Sequence, residues 1–88
     1  MHYKVRLSAT AERQLEKLPK HIQKRVARWL ERLSADPYVQ PSCQLEGQED
    51  LRRVHASKDY VIVYSVFPHE VVILVVRIAH RREIYRRL

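Results

Sequence analysis

The sequence has one cysteine, one glycine, one methionine and one tryptophan in 88 residues, and these scarcities remove whole classes of answer. A lone thiol, Cys43, has no internal partner, so no disulfide framework staples the fold and no second sulfur is at hand for structural zinc. A single glycine leaves nothing from which to build a glycine-rich phosphate loop. The longest apolar run is the six residues Val71–Val76, far short of the roughly twenty a membrane-spanning helix needs. The opening Met1–Leu7 contains neither an apolar h-region nor a small-residue cleavage site. The expectation is a cytoplasmic protein with no membrane attachment, no metal and no cofactor. At this length one domain, residues 1–88, is expected, standing on packing alone.

What the chain has in abundance is positive charge. Lys and Arg number 17 against 10 acids, a net of +7. Residues 1–35 hold nine basic and three acidic side chains, residues 36–50 none and four, and residues 51–88 eight and three. An acidic segment thus separates two basic halves. Twelve of the cations are Arg, whose planar fork grips phosphate at two points. A polyanion is the natural partner, and nucleic acid the commonest one; a charged surface that merely keeps a small protein soluble is the plain alternative.

Periodicity orders the chain as β-α-α-β-β-β. Tyr3, Val5 and Leu7 alternate with His2, Lys4 and Arg6, the period of a half-buried strand. Ser8 stands at a helix N-cap position. Ala11, Leu15, Leu18, Ile22, Val26, Trp29 and Leu33 then form one helical stripe, broken at Leu18-Pro19 because a residue preceding proline is pushed out of the α region. Two helices, about 9–18 and 20–34, are predicted, the second ended by Asp36-Pro37. Its outer face carries Lys20, Lys24, Arg25, Arg28 and Arg32, read as a solvated helix face. Residues 36–50 read as a loop with Gly47 at its last turn. Leu51–Ser57, Asp59–Val66 and Val71–Ala79 read as strands, the last a central one, with a turn at Phe67–Glu70. Gaps of hairpin length make these three antiparallel neighbours, and the arginine-rich stretch from His80 reads as a short helix or an irregular tail. The fold class expected is α+β, two N-terminal helices packed on a twisted antiparallel sheet.

The conspicuous cluster is Arg77, His80, Arg81, Arg82, Tyr85, Arg86 and Arg87, beginning where a central strand leaves the core. On an earlier strand the period of two puts Arg53 and His55 on one face and Val54 on the other. If these strands are neighbours, Arg53, His55, His80, Arg81 and Tyr85 converge on a basic, His-bearing, aromatic-tipped patch suited to RNA. RNA can be cut without metal when its 2′-hydroxyl attacks the adjacent phosphorus, given a base, an acid and positive charge for the transition state. The same residues can also serve for binding alone. Tyr85 can pack its ring on the sheet edge, His80 can cap the strand end, and His55 can be a half-exposed strand residue.

At these residues the sequence resembles the RelE/ParE superfamily of bacterial toxins, over nearly its whole length. The family's strand, capped helix and "KLP" corner are matched by Tyr3–Leu7, Ser8–Ala11 and Lys17-Leu18-Pro19; its "L-x-G" by Leu45-Glu46-Gly47; its "DYRVIY" strand by Asp59–Tyr64. Its "RVGHRREVY" ending is resembled by Arg77–Tyr85, the most specific match and one that points to the RelE branch. The resemblance implies a toxin of a type II toxin–antitoxin module, an endoribonuclease that cuts mRNA in the ribosomal A site and so inhibits translation. The family's strand basics fall on Arg53 and His55, its terminal arginine on Arg81 and its terminal tyrosine on Tyr85; taken with the patch, the candidate catalytic residues are Arg81, Tyr85, His80 and Arg53, and the candidate RNA contacts Arg77, Arg82, His55, Lys58 and Arg52. Partners so implied are the ribosome with its mRNA, an acidic, partly disordered antitoxin, and operator DNA for the toxin–antitoxin complex. One position departs from the pattern: the arginine of "DYR" is Val61 here. Arg77 on the adjacent strand is the candidate substitute. A "DYV" strand also fits ParE-like members, which act on DNA gyrase without nuclease chemistry, and a third alternative is a catalytically weakened RelE-like protein that keeps antitoxin binding.

Overall fold

The structure, a computed structural model, describes residues 2–38, 43–45 and 48–86, with side chains for residues 2–38 and 51–84. The N-terminal alternation becomes strand β1 (Lys4–Leu7), with Val5 and Leu7 turned toward the core and Lys4 and Arg6 exposed. Ser8 then caps helix α1 (Ala9–Lys17), its Oγ accepting the Ala11 N–H at 3.0 Å as an N-cap hydroxyl should. The corner at Leu18-Pro19 separates α1 from α2 (Lys20–Ala35). Gln23 secures the corner: its Nε2 donates to the carbonyls of Leu15 at 3.0 Å and Leu18 at 3.1 Å, at the end of α1 where the helical ladder runs out.

Beyond α2 the chain forms β2 (Cys43–Leu45), β3 (Gln48–His55), β4 (Tyr60–Phe67), β5 (Val72–His80) and the six-residue helix α3 (Arg81–Arg86). The loop expected over 36–50 is corrected in part. Cys43–Leu45 pairs antiparallel with β3, and β3 starts at Gln48 rather than Leu51. Gln48-Glu49-Asp50 has poor strand propensity, and only pairing with its neighbour makes it a strand. Gly47 lies outside the described residues.

The sheet order is β1-β5-β4-β3-β2. The α+β class and the antiparallel run β3-β4-β5 are as expected. The addition is β1, which lies parallel to β5, Lys4 opposite Val72 and Leu7 opposite Val75. Parallel neighbours need a crossover, and here the whole chain between them serves as one. At the β4–β5 turn Val71 holds φ 55°, a left-handed conformation that a β-branched residue adopts only under strain. Its carbonyl is tied to the Lys4 N–H at 2.8 Å.

Each sheet face has its own apolar cluster. Ala11, Ile22, Val26 and Leu33 of the helices pack on Val54, Ile62, Tyr64, Ile73, Val75 and Ile78. The buried Tyr64 hydroxyl donates to the Pro37 carbonyl at 2.7 Å and so fixes the chain where it leaves α2. On the opposite face Val61 and Val63 are closed over by Ile84 of α3. Among the described residues no helix is long and apolar enough to cross a membrane.

Candidate functional site

A bulge decides which residues reach the face opposite the helices. Val63 of β4 lies opposite Arg77 of β5, but the next residue, Tyr64, lies opposite Val75. Val76 is therefore the extra residue, and it shifts the phase of the strand. Ile73 and Val75 face the helices; after the bulge Ile78 does so, leaving Arg77 and Ala79 on the open face. An unbroken alternation would have sent Arg77 under the helices. The α1 region satisfies the backbone around the irregularity. Ser8 Oγ donates to the Val76 carbonyl at 3.0 Å, and Gln14 Oε1 accepts the Ile78 N–H at 2.8 Å.

Strand register then assembles a basic row. Arg53 and Arg77 both lie opposite Val63, one from each side. With strands about 4.8 Å apart, their Cα atoms are roughly 10 Å apart. His55 lies opposite Val61, and Val61 opposite Ala79, so the exposed imidazole stands one row nearer the end of the sheet. Arg53, His55 and Arg77 thus share a face floored by valines, an apolar surround that strengthens any charge–charge contact made above it.

That end of the sheet is also where α3 begins. The Arg81 N–H donates to the Asp59 carbonyl at 2.7 Å, and Arg81 Nε lies 3.8 Å from Asp59 Oδ1. With the two side chains 47% and 49% exposed, the ion pair contributes at most about 1 kcal/mol. The backbone of Arg81 is held while its guanidinium stays available to a stronger anion. Lys58, in the same turn, is exposed, as is Arg82.

Two predicted residues point elsewhere. Arg52, opposite Tyr64, belongs to the helix-side face, and its guanidinium lies 5.2 Å over the Tyr38 ring; the alternation that turns Arg53 outward turns Arg52 away. His80, opposite Tyr60, also faces the helix side, its ring edge-on to Tyr60 at 5.6 Å. Its Nδ1 accepts the Arg82 N–H at 3.2 Å, the geometry of a side-chain helix cap, so a structural task occupies one of its nitrogens. Tyr85 lies in the last turn of α3, four residues after Arg81; its side chain is outside the described residues.

Sequence reasoning missed Asp59. Its signal was available: an acid just before a strand whose antiparallel neighbour is followed directly by arginine. Val61 is 0% exposed, and Ile84 of α3 is 1% exposed against it. The position where the resembling family carries arginine is here the apolar seat of α3. Among the described residues no three His, Cys, Asp or Glu side chains gather as a metal ion would require.

Compared with known proteins, residues 5–85 match the family model described as the ParE toxin of the type II toxin–antitoxin system, parDE. A RelE-like toxin protein of Escherichia coli is 29% identical over 82 residues, covering 92% of this chain and 85% of its own. Among solved structures, the RelE–RelB complex of Pyrococcus horikoshii contains a chain 28% identical, with a TM-score of 0.80, covering 92% of this chain and 97% of that one. The RelBE2 toxin–antitoxin complex of Mycobacterium tuberculosis matches at 25% identity and a TM-score of 0.80, covering 92% and 100%. The isolated E. coli RelE toxin, at 20% identity, shares the fold with a TM-score of 0.79 over 98% of this chain and 99% of its own.

Proposed function

The chain belongs to the ParE toxin family of type II toxin–antitoxin systems, and from that premise we propose that it is a RelE-type toxin, a single domain over residues 1–88 that cuts mRNA on the ribosome without a metal ion. One observation carries the reading: the bulge at Val76 brings Arg77 onto the face that holds Arg53 and His55, at the end of the sheet where Arg81 starts α3. A binding surface needs only charge; this face adds an exposed imidazole beside the arginines.

In the reaction the 2′-hydroxyl gives up its proton to a base and attacks the adjacent phosphorus. The bond to the 5′-oxygen breaks, that oxygen takes a proton, and a cyclic phosphate remains. Arg81, Arg77 and Arg53 stabilise the charge gathering on the phosphoryl oxygens. His55 is the imidazole available for proton transfer, because His80 already accepts a hydrogen bond through Nδ1. Tyr85 stacks on or orients a base, and Arg82 and Lys58 hold flanking phosphates. Arg77 stands in for the arginine replaced by Val61. The protein works in the cytoplasm, is silenced by an acidic, partly disordered antitoxin that folds on its basic surface, and binds operator DNA as part of that complex.

Primer extension on translated mRNA after brief expression tests the proposal. A charge-assisted hydrogen bond contributes about 1.5–3 kcal/mol, so Arg81→Ala and Arg77→Ala should each slow cutting roughly ten- to a hundredfold. Full cutting by Arg77→Ala, with loss in Arg81→Ala, would end its role as substitute. The buried Val61 favours a second reading, a ParE-like toxin acting on DNA gyrase. It predicts intact mRNA with gyrase-dependent DNA breaks. A chain with neither effect is a weakened toxin that retains its antitoxin.

A further inference from the structure

A cavity of about 300 Å³ opens on the helix layer, lined by Arg25, Arg28, Trp29, Arg32 and Ala56. The four α2 residues sit at spacings of three, one and three, along one side of the helix. Arg25, Arg28 and Arg32 are exposed, and among the described residues no carboxylate pairs with any of them. The Arg32 guanidinium lies 4.5 Å over the Trp29 ring, which fixes its plane. Composition offered these cations as a solvated helix face, but solvation alone does not gather three arginines around an indole and a hollow.

Ala56, on the lining, follows His55 directly. The two residues face opposite sides of the sheet at the end where the β3–β4 turn carries Lys58 and where α3 begins. The cavity and the open face therefore meet round one rim, and that rim is itself basic.

We infer that this cavity is a second RNA site, taking the phosphate and the adjoining sugar or base of one nucleotide on a single strand whose neighbouring stretch lies across the open sheet face. The volume is at the small end for ligand sites, enough for a nucleotide. Three forked donors match phosphate oxygens, and an unstacked RNA base lies flat on a held guanidinium plane. A carboxylate of an acidic polypeptide would engage one fork and leave the hollow unfilled. This inference rests on the reading of the chain as an RNA-acting toxin, but binding rather than cutting measures it.

The test follows the anisotropy of fluorescein-labelled dodecauridylate with the full chain and with the triple variant Arg25→Gln, Arg28→Gln, Arg32→Gln, between 0.05 and 0.3 M salt. These limits, about sixfold apart, suffice for a slope because each lost phosphate contact on a single strand lowers it by about 0.7. Because the cavity takes one phosphate, the variant's slope should fall by about 0.7, with affinity at 0.15 M salt down roughly fourfold relative to a 1 M reference. The corresponding triple Lys variant should keep most of the slope, since charge is retained. Unchanged melting would show that the exposed substitutions leave the fold intact. Unaltered RNA affinity in the Gln variant overturns the inference, and so does loss of binding to polyglutamate alone with RNA binding intact. If the parent never cuts translated mRNA while the Gln variant still loses RNA affinity, the nuclease reading fails and the second site stands.

Discussion

Gln14→Leu tests the link between the helices and the open face. The substitution keeps the bulk of the side chain and deletes the Oε1 atom that accepts the Ile78 N–H at 2.8 Å. Ile78 lies past Leu7↔Val75, the last pairing that β1 offers β5, so no strand is there to take over. A polar group left unpaired away from water costs about 1–3 kcal/mol. The contact is only partly buried, which places the expected loss near the lower half, about 1–2 kcal/mol. For a domain of this size each kcal/mol lowers the melting temperature by about 4–8 °C, so a fall of roughly 5–15 °C is expected. Thermal unfolding followed by circular dichroism reads the total, and amide hydrogen exchange reads the place: Ile78 should lose protection while Ile62 keeps it. Because the same stretch of β5 aims Arg77, RNA affinity should weaken with stability. Melting within 1–2 °C of the parent, with Ile78 still protected, would refute the claim that α1 stabilises the bulge.

Three further outcomes follow from single contacts. Ile84→Ala removes most of a side chain that is 1% exposed and should cost about 2–4 kcal/mol; because α3 is too short to be helical by itself, its amides should exchange far faster, with mRNA cutting lost alongside. Asp59→Asn should change stability by less than about 1 kcal/mol, since the ion pair it removes is half-exposed, while tightening RNA binding a few-fold in titrations at 0.1 M salt by releasing the Arg81 guanidinium. Val71→Gly should raise stability in urea by about 1 kcal/mol, because glycine relieves the strain at φ 55°.

Local patterns made most of the fold legible. The alternation of residues 2–7, the stripe broken at Pro19, the Ser8 cap and the aromatic and β-branched run at Asp59–Val66 each fix an element without reference to the rest of the chain. Strand β2 and the beginning of β3 were hidden because Gln48-Glu49-Asp50 is polar, and a strand made by pairing leaves no trace in its own residues. The parallel seating of β1 on β5 joins residues about seventy apart, beyond the reach of any periodicity. The site was legible in its membership more than in its geometry. Alternation correctly put Arg53 and His55 together, and the same rule, applied to the listless apolar run Val71–Ala79, gives no hint of an extra residue. All six side chains before Arg77 are aliphatic, so neither face of β5 is marked by polarity and the phase shift at Val76 is silent. His80 was legible only as two alternatives, a strand-end cap or a proton-transfer group: its neighbours are functional in type, while its own register and its contact with Tyr60 turn it to the helix side.

Val61 and Arg77 are best understood together. An arginine at position 61 would project from β4 into the space that Ile84 fills, and a guanidinium cannot share that space with a seated α3 without burying an unpaired charge. Valine permits the seat, so α3 is packed down by an apolar contact and Arg81 is pinned at its first residue through the Asp59 carbonyl. On the proposed reading, the positive charge absent at the second residue of β4 is supplied two residues along the sheet, opposite Val63, where the bulge places Arg77. On that reading the charge stands away from the rim and nearer Arg53, which leaves the rim to His55, Lys58 and Arg81. Under the proposed function, a strand of RNA crossing that rim meets the imidazole first and arginines on either side of it, and this order is what an arginine at position 77 adds to a site with valine at position 61.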